Sequence, residues 1–298
     1  MSRKIDKLPE PVTKRAIKLI VASPSRTGTL GLYRALQVLG FKPYHMFECV
    51  IVNGVPHIEV LHEAVLAQHN RFSGITRYSR NDFDKWFAEY DKSLVEIPAM
   101  LGPAVIEAYV EEPEVKFLLV ERDPAKWAAS INNTAGPIIK QARSFPLNIL
   151  KYFDHALNVF LSQSVLVYDV LADSTYPGGP GNEAALQRNY TEYISMVKKA
   201  IPADRLCHIR LEDGLGWEQI CPFLDVPIPD QEYPDRNEPA RFQALAEGVV
   251  QPMFKRAIMR VAMVCIPALG VLGWGIMKHG FVAGNYLTEA SHSWHSLL

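Results

Sequence analysis

The chain has 298 residues, 48% of them hydrophobic, and 31 basic side chains nearly balance 32 acidic ones for a formal net charge of -1. That composition excludes wholesale disorder, and the absence of a basic excess argues against a general nucleic-acid binder. The length suits one large domain or two small ones and buries a core without staples. The four cysteines (Cys49, Cys207, Cys221, Cys265) are scattered with no CxxC pair, which speaks against a disulfide scaffold or structural zinc and for a reducing compartment. Residues 1–18 carry no apolar core of signal-peptide length, so a cytoplasmic chain is expected.

In chain order, Ile17 to Ala22 is a nearly continuous apolar run, the pattern of a strand buried on both faces. The turn-rich stretch Ser23-Pro24-Ser25-Arg26-Thr27-Gly28 follows, then Leu32, Leu36 and Leu39 at helical spacing up to Gly40, a C-terminal stop. Phe83 to Asp91 and Ile149 to Leu171 read as helical stretches, and Ser93 to Ile97 and Val115 to Val120 as strands. After Val120, Asp123 suits a helix N-cap and Pro124 a first turn. Leu206 to Leu211 is a further strand candidate and Trp217 to Leu224 a short helix, while Val226 to Pro239, with four prolines, reads as an extended arm. Strands alternating with helices predict a three-layer α/β/α fold with a central, mostly parallel sheet.

The expected division is an α/β domain over 1–250 and an apolar tail over 251–298. Val261 to Met277 holds seventeen residues without a charge, with Lys255, Arg256 and Arg260 before it and Lys278 after it. As a helix it would span ~25 Å, at the short end for crossing a bilayer. Trp274 and the basic flanks fit attachment to an intracellular membrane, although Pro267 and three glycines weaken a helix. A buried C-terminal helix and a homodimer surface fit the same residues.

The loop after the first strand carries the most chemistry. In open α/β sheets ligands bind beyond the carboxyl ends of the strands, where helix N-termini present free N–H groups to anions. Ser23, Ser25, Arg26, Thr27 and Thr29 add hydroxyls and a positive charge, and Gly28 allows close backbone approach, which together make a phosphate or sulfate cradle. The nucleotide-triphosphatase loop does not fit: with Gly28 as its second glycine, Ser23 takes the first glycine position and Thr29 the lysine position. No Rossmann fingerprint, GxSxG or HExxH occurs, and the histidines show no metal-ligand spacing, so no metal is expected.

Ser25-Arg26-Thr27-Gly28-Thr29 resembles the Pro-Lys-Ser-Gly-Thr loop of sulfotransferases, and Arg122-Asp123-Pro124 followed by Ser130 resembles their second signature. Leu39-Gly40-Phe41, Tyr44-His45-Met46 and Gly216-Trp217-Glu218 extend the likeness to the fungal and marine-animal branch with an Arg-Thr-Gly-Thr loop, over roughly residues 17 to 245. The resemblance implies the P-loop-like sulfotransferase fold and 3′-phosphoadenosine 5′-phosphosulfate (PAPS) as co-substrate. It implies that Ser25, Arg26, Thr27, Gly28 and Thr29 hold the phosphosulfate and that Arg122 and Ser130 grip the 3′-phosphate. Arg26 stands where other members keep lysine, and it stabilises charge without giving up a proton. Gly31 stands where the branch commonly has serine. The C-terminal RKGxxG element of cytosolic members is missing, and Arg236, with Asn237, is the candidate to take its place.

The expected reaction transfers a sulfuryl group to a hydroxyl or amine of a small apolar metabolite, in specialised metabolism. His45 is the first choice for the general base because imidazole titrates near neutral pH. Glu96, at the end of a predicted strand, is the second, and it suits equally well a carboxylate pairing with Arg26; Asp91 is third. Trp86, Tyr90, Phe145, Tyr152 and Phe153 suit either the acceptor pocket or the core. Two other readings stay open from sequence: the fold repurposed for PAPS-independent elimination, cyclisation or rearrangement, and a non-catalytic, membrane-attached binding module.

Overall fold

The computed structural model describes residues 3–13, 16–90, 93–234 and 239–295, with the side chains of the last stretch described over 247–277. In chain order its elements are β1 (Leu19–Val21), α1 (Thr29–Val38), α2 (Val55–His69), α3 (Arg80–Trp86), β2 (Ser93–Val95), α4 (Ile97–Met100), α5 (Pro103–Tyr109), β3 (Lys116–Glu121), α6 (Pro124–Arg143), α7 (Leu147–Leu150), α8 (His155–Leu171), α9 (Asn182–Ala200), β4 (Leu206–Arg210), α10 (Trp217–Leu224) and α11 (Pro239–His295). The four strands are parallel and lie in the order β2-β1-β3-β4. The order reverses at β1, so the crevice for a ligand opens where β1 and β3 end side by side.

The strands read as unbroken apolar runs because both faces of the sheet are covered. Side chains alternate across a strand: Leu19, Val21, Leu118 and Val120 pack with Leu32, Tyr33 and Leu36 of α1 and Ile220 of α10. Ile20, Ala22, Phe117 and Leu119 turn the other way, onto a larger layer that includes Leu61, Phe83, Trp127 and Tyr190. Burying each large side chain contributes about 1.5–3 kcal/mol, so these layers fix the sheet. This is the three-layer α/β/α arrangement.

Several elements depart from the sequence reading. The first strand is shorter than the apolar run, and α3 begins at Arg80 because Asp82 accepts the Ser79 N–H at 2.8 Å and caps the helix there. The stretch 149–171 is interrupted before α8, where Asp154 accepts the Leu157 N–H at 2.9 Å. Helix α11 runs through Pro252, Pro267 and the glycines without a break, although an interior proline costs a helix a backbone bond. The buried-helix reading of the tail does not hold: all residues from 263 to 274 are exposed, on every side of the helix. Asp91 and Arg236 lie outside the described residues.

The base of α11 is fastened to the body. Val250, Met253, Phe254 and Ala257 pack with Leu147, Leu157 and Leu161. Arg256 Nε and Arg260 Nη1 reach the buried Asp154 carboxylate at 3.1 and 3.0 Å. Burial opposes the Asp154 charge, but the Leu157 N–H and the two guanidiniums outweigh it and hold the carboxyl below its ordinary 3.8. Its contribution is therefore present above that value and lost as the pH falls through the lower folded value. Asp154→Ala is expected to cost about 1–2 kcal/mol through the lost cap and to make α11 more accessible to protease. Denaturant unfolding should show that deficit at neutral pH and little of it in strong acid.

Candidate functional site

The loop between β1 and α1 carries two unusual backbone angles. Gly28 precedes α1 at φ 87° and Arg26 stands at φ 69°, a region that costs a residue with a side chain roughly 1–3 kcal/mol. At Gly28 the left-handed angle favours glycine, and a Cβ there would also crowd Leu215 Cδ2 at 3.1 Å. The first i→i−4 bond of α1 is Leu32 N–H to Gly28 O, and no side chain caps the helix. The N–H groups of Thr29, Leu30 and Gly31 thus have no partner within the helix, the arrangement that receives anions.

Residues from the second signature hold this loop. Arg122 Nη1 donates to Arg26 O at 3.0 Å and Trp127 Nε1 to Ser25 O at 2.8 Å. Trp127 is fully buried and stacked on Tyr190, whose hydroxyl accepts the Arg122 N–H at 2.7 Å. Arg26 Nε lies 3.3 Å from Ser130 Oγ, so the residues assigned to the two ends of the nucleotide meet in one place. Burial lowers the Arg26 guanidinium from its ordinary value, Glu96 opposes that, and the like charge of Arg122 adds to it.

Two hydroxyls expected in the cradle point elsewhere. Ser23 Oγ is buried and accepts the Val120 N–H at 2.7 Å, tying the loop after β1 to β3, because β1 ends at Val21 and that donor needs a partner. Thr27 Oγ1 is also buried and donates to Pro24 O at 2.7 Å. Thr27 has its backbone N–H left to offer an anion, while Ser25 and Thr29 face the cavity beside Arg26.

The two candidate bases form a pair. Tyr44 bridges to β2, its N–H donating to Ser93 O and its carbonyl accepting the Val95 N–H, each at 2.9 Å. The next residue on each side, His45 and Glu96, then meet with Nε2 and Oε2 2.6 Å apart. The distance is that of an ion pair, but His45 Nε2 makes no aligned hydrogen bond, so we read an off-line contact. His45 Nδ1 accepts the Phe47 N–H at 3.1 Å, which places the proton of a neutral ring on Nε2, facing Glu96.

Glu96 is 8% exposed and stands at φ 69°, so burial, charge and backbone strain fall on one residue. Burial would raise its carboxyl; His45, a Ser25 hydrogen bond and the Arg26 charge prevail and hold it below 4.5. His45 stacks on Tyr33 with ring centroids 5.0 Å apart. Beneath it Glu48 accepts the His45 N–H at 3.2 Å and the Tyr33 hydroxyl proton.

A cavity of about 250 Å³ joins these parts. Ser25, Arg26, Thr29, His45 and Glu96 form its polar end, and the rest is mainly apolar, with Ile131 and Ile138 of α6, Phe160 and Val167 of α8, and Val249 of α11. None of the five aromatics considered from sequence lines it. Trp86 and Tyr90 pack on Tyr44 in the core, whereas Phe145 and Tyr152 are turned outward, 79% and 72% exposed. Glu48 and Tyr190 were not singled out in the sequence, although Leu186, Tyr190, Ile194 and Val197 recur at the spacing of a buried helix face.

A model of the sulfotransferase domain family matches residues 18–242. The chain is 31% identical over 220 residues to Ava biosynthesis cluster protein M of Aspergillus versicolor, a match that covers 73% of this chain and 80% of that protein. A sulfotransferase from Alicyclobacillus acidocaldarius, solved by crystallography, overlays with a TM-score of 0.40 at 14% identity, covering 84% of this chain and 95% of its own. That likeness is too loose to carry an argument.

Glu96→Gln is expected to lower stability at neutral pH by about 1–3 kcal/mol, the range for losing hydrogen bonding to a buried charged group. Because the Glu96 carboxyl is held below 4.5, its contribution is present above that value and lost as the pH falls through the lower folded value. Unfolding curves of wild type and variant should therefore be well separated at neutral pH and converge in acid.

Proposed function

The chain belongs to the sulfotransferase domain family, and on that premise we propose that it moves a sulfuryl group from PAPS to a hydroxyl or amine of a small apolar molecule. The observation that carries this reading is that one cavity has Ser25, Arg26, Thr29 and the carboxylate–imidazole pair at one end and an apolar groove at the other. The uncapped start of α1 and the closely placed Arg26 and Arg122 suit a donor bearing phosphates at two positions. In this reading the N–H groups at the start of α1, Ser25, Arg26 and Thr29 hold the phosphosulfate, and Arg122 and Ser130 the 3′-phosphate.

The bond from sulfur to the bridging phosphate oxygen breaks while a bond from sulfur to the acceptor oxygen or nitrogen forms. The acceptor proton goes to the Glu96 carboxylate, and 3′-phosphoadenosine 5′-phosphate leaves. Arg26 stabilises charge on the transferring group and the leaving phosphate. Since the His45 Nδ1 is occupied and its Nε2 faces Glu96, His45 orients the carboxylate, and Tyr33 and Glu48 position the imidazole.

The likeness to a biosynthesis cluster protein of Aspergillus versicolor supports a role in specialised metabolism. We also propose that α11 anchors the chain in an intracellular membrane. Glu247–Met277 is a 31-residue span whose most apolar 18-residue stretch has a mean hydropathy of 1.8, and from 263 to 274 it presents no buried face. A helix that is apolar all round suits lipid better than a dimer, which needs one apolar stripe.

The test is calorimetric titration of the folded full chain with 3′-phosphoadenosine 5′-phosphate. Wild type should bind, and Arg122→Ala should bind roughly 10–100-fold more weakly, as expected for losing a charge-assisted contact of about 1.5–3 kcal/mol. Absence of binding by folded wild type overturns PAPS use and leaves a repurposed fold.

A further inference from the structure

We propose that the body itself sits on the lipid surface, through the outward aromatic face around α7, so that α11 is not its sole contact with the membrane. The inference rests on the membrane attachment proposed above. Phe145, Ile149, Tyr152 and Phe153 fall within nine residues of chain and are 79%, 51%, 72% and 38% exposed. Their level along α11 is fixed: Arg260 Nη1 donates to Phe153 O at 3.0 Å, and Arg256 and Arg260 both hold Asp154, the next residue. Arg260 is also the last charge before the apolar stretch that begins at Val261. The exposed aromatic face therefore lies where the helix would enter lipid.

Its composition suits that boundary. Tyr152 combines an apolar ring with a polar tip, and the Lys151 ammonium sits 5.2 Å over that ring. Lys255, Arg256 and Arg260 surround the same level, while the nearby Asp154 carboxylate is buried and paired. A rim of aromatic and basic groups at the end of an apolar helix is the pattern of an interfacial anchor facing anionic lipid. A second observation points the same way. A cavity of about 310 Å³ opens between the end of α6, α7 and α11, lined by Lys140, Ser144, Phe145, Leu147 and Phe254 among others. Its walls are mainly apolar, which fits a lipid acyl chain.

The proposal is tested with the full chain carrying Tyr152→Trp, reconstituted in vesicles of phosphatidylcholine and phosphatidylglycerol with bromines placed shallow or deep in the acyl chains. After subtraction of the wild-type signal, the added fluorescence should be lost more to shallow than to deep bromines, as for a ring about 5–10 Å into the boundary. If vesicles carry the chain and quench its native tail tryptophans while the added one keeps its full fluorescence, the seat is overturned and the anchor stands. If the chain does not float with vesicles, both fail. If the added tryptophan is shielded from an aqueous quencher in detergent and the chain is dimeric there, a second copy covers the face and the proposal is wrong.

Discussion

Two consecutive carbonyl oxygens, those of Ser25 and Arg26, are each held by a side chain from the far side of the β1–β3 crevice. Trp127 takes the first and Arg122 the second, and both are placed by the cap and first turns of α6. These two bonds keep the loop in a shape its backbone would not adopt unaided, with Arg26 in the left-handed region. The positive charge, the open start of α1 and the polar end of the cavity all follow from that constraint. The two sequence signatures are thus one mechanical unit, in which the second shapes the first.

A similar economy governs His45 and Glu96. A single bridge between Tyr44 and β2 sets their register, and Tyr33 and Glu48 close around the imidazole from the other side. Burial pushes the Glu48 carboxyl up while the surroundings of Glu96 hold its carboxyl down. Two carboxylates beside one histidine are thereby driven apart in character, one suited to hydrogen bonding and the other to carrying charge.

Much of this was legible in the sequence wherever a local rule decides. Runs such as Val115 to Val120 announce strands covered on both faces, and Asp123-Pro124 announces a helix start, because cap and φ restriction act within a few residues. The pairing of His45 with Glu96 was not legible, since it depends on a one-residue bridge between segments about fifty positions apart. Ser23 and Thr27 misled for the opposite reason: a hydroxyl in a turn looks available until the strand ends and the loop carbonyls show what claims it. The aromatics of 145–153 belong to the outer surface because α8 is restarted by Asp154, whose arginine partners lie a hundred residues further on.

The rigid fastening of α11 also works as a ruler. From Val249, at the cavity wall, to Val261, where the charges stop, there are twelve residues, or about 18 Å of helix. The helix is continuous between them, through Pro252, so the fold itself sets that height. On the anchoring proposed above, an acceptor that stays rooted in lipid would have to carry its reactive group at least that far above the acyl region, whereas a compact one would have to leave the bilayer altogether. Chain length, and not only polarity, becomes a selector, and it is set by a part of the protein that never meets the reacting atoms.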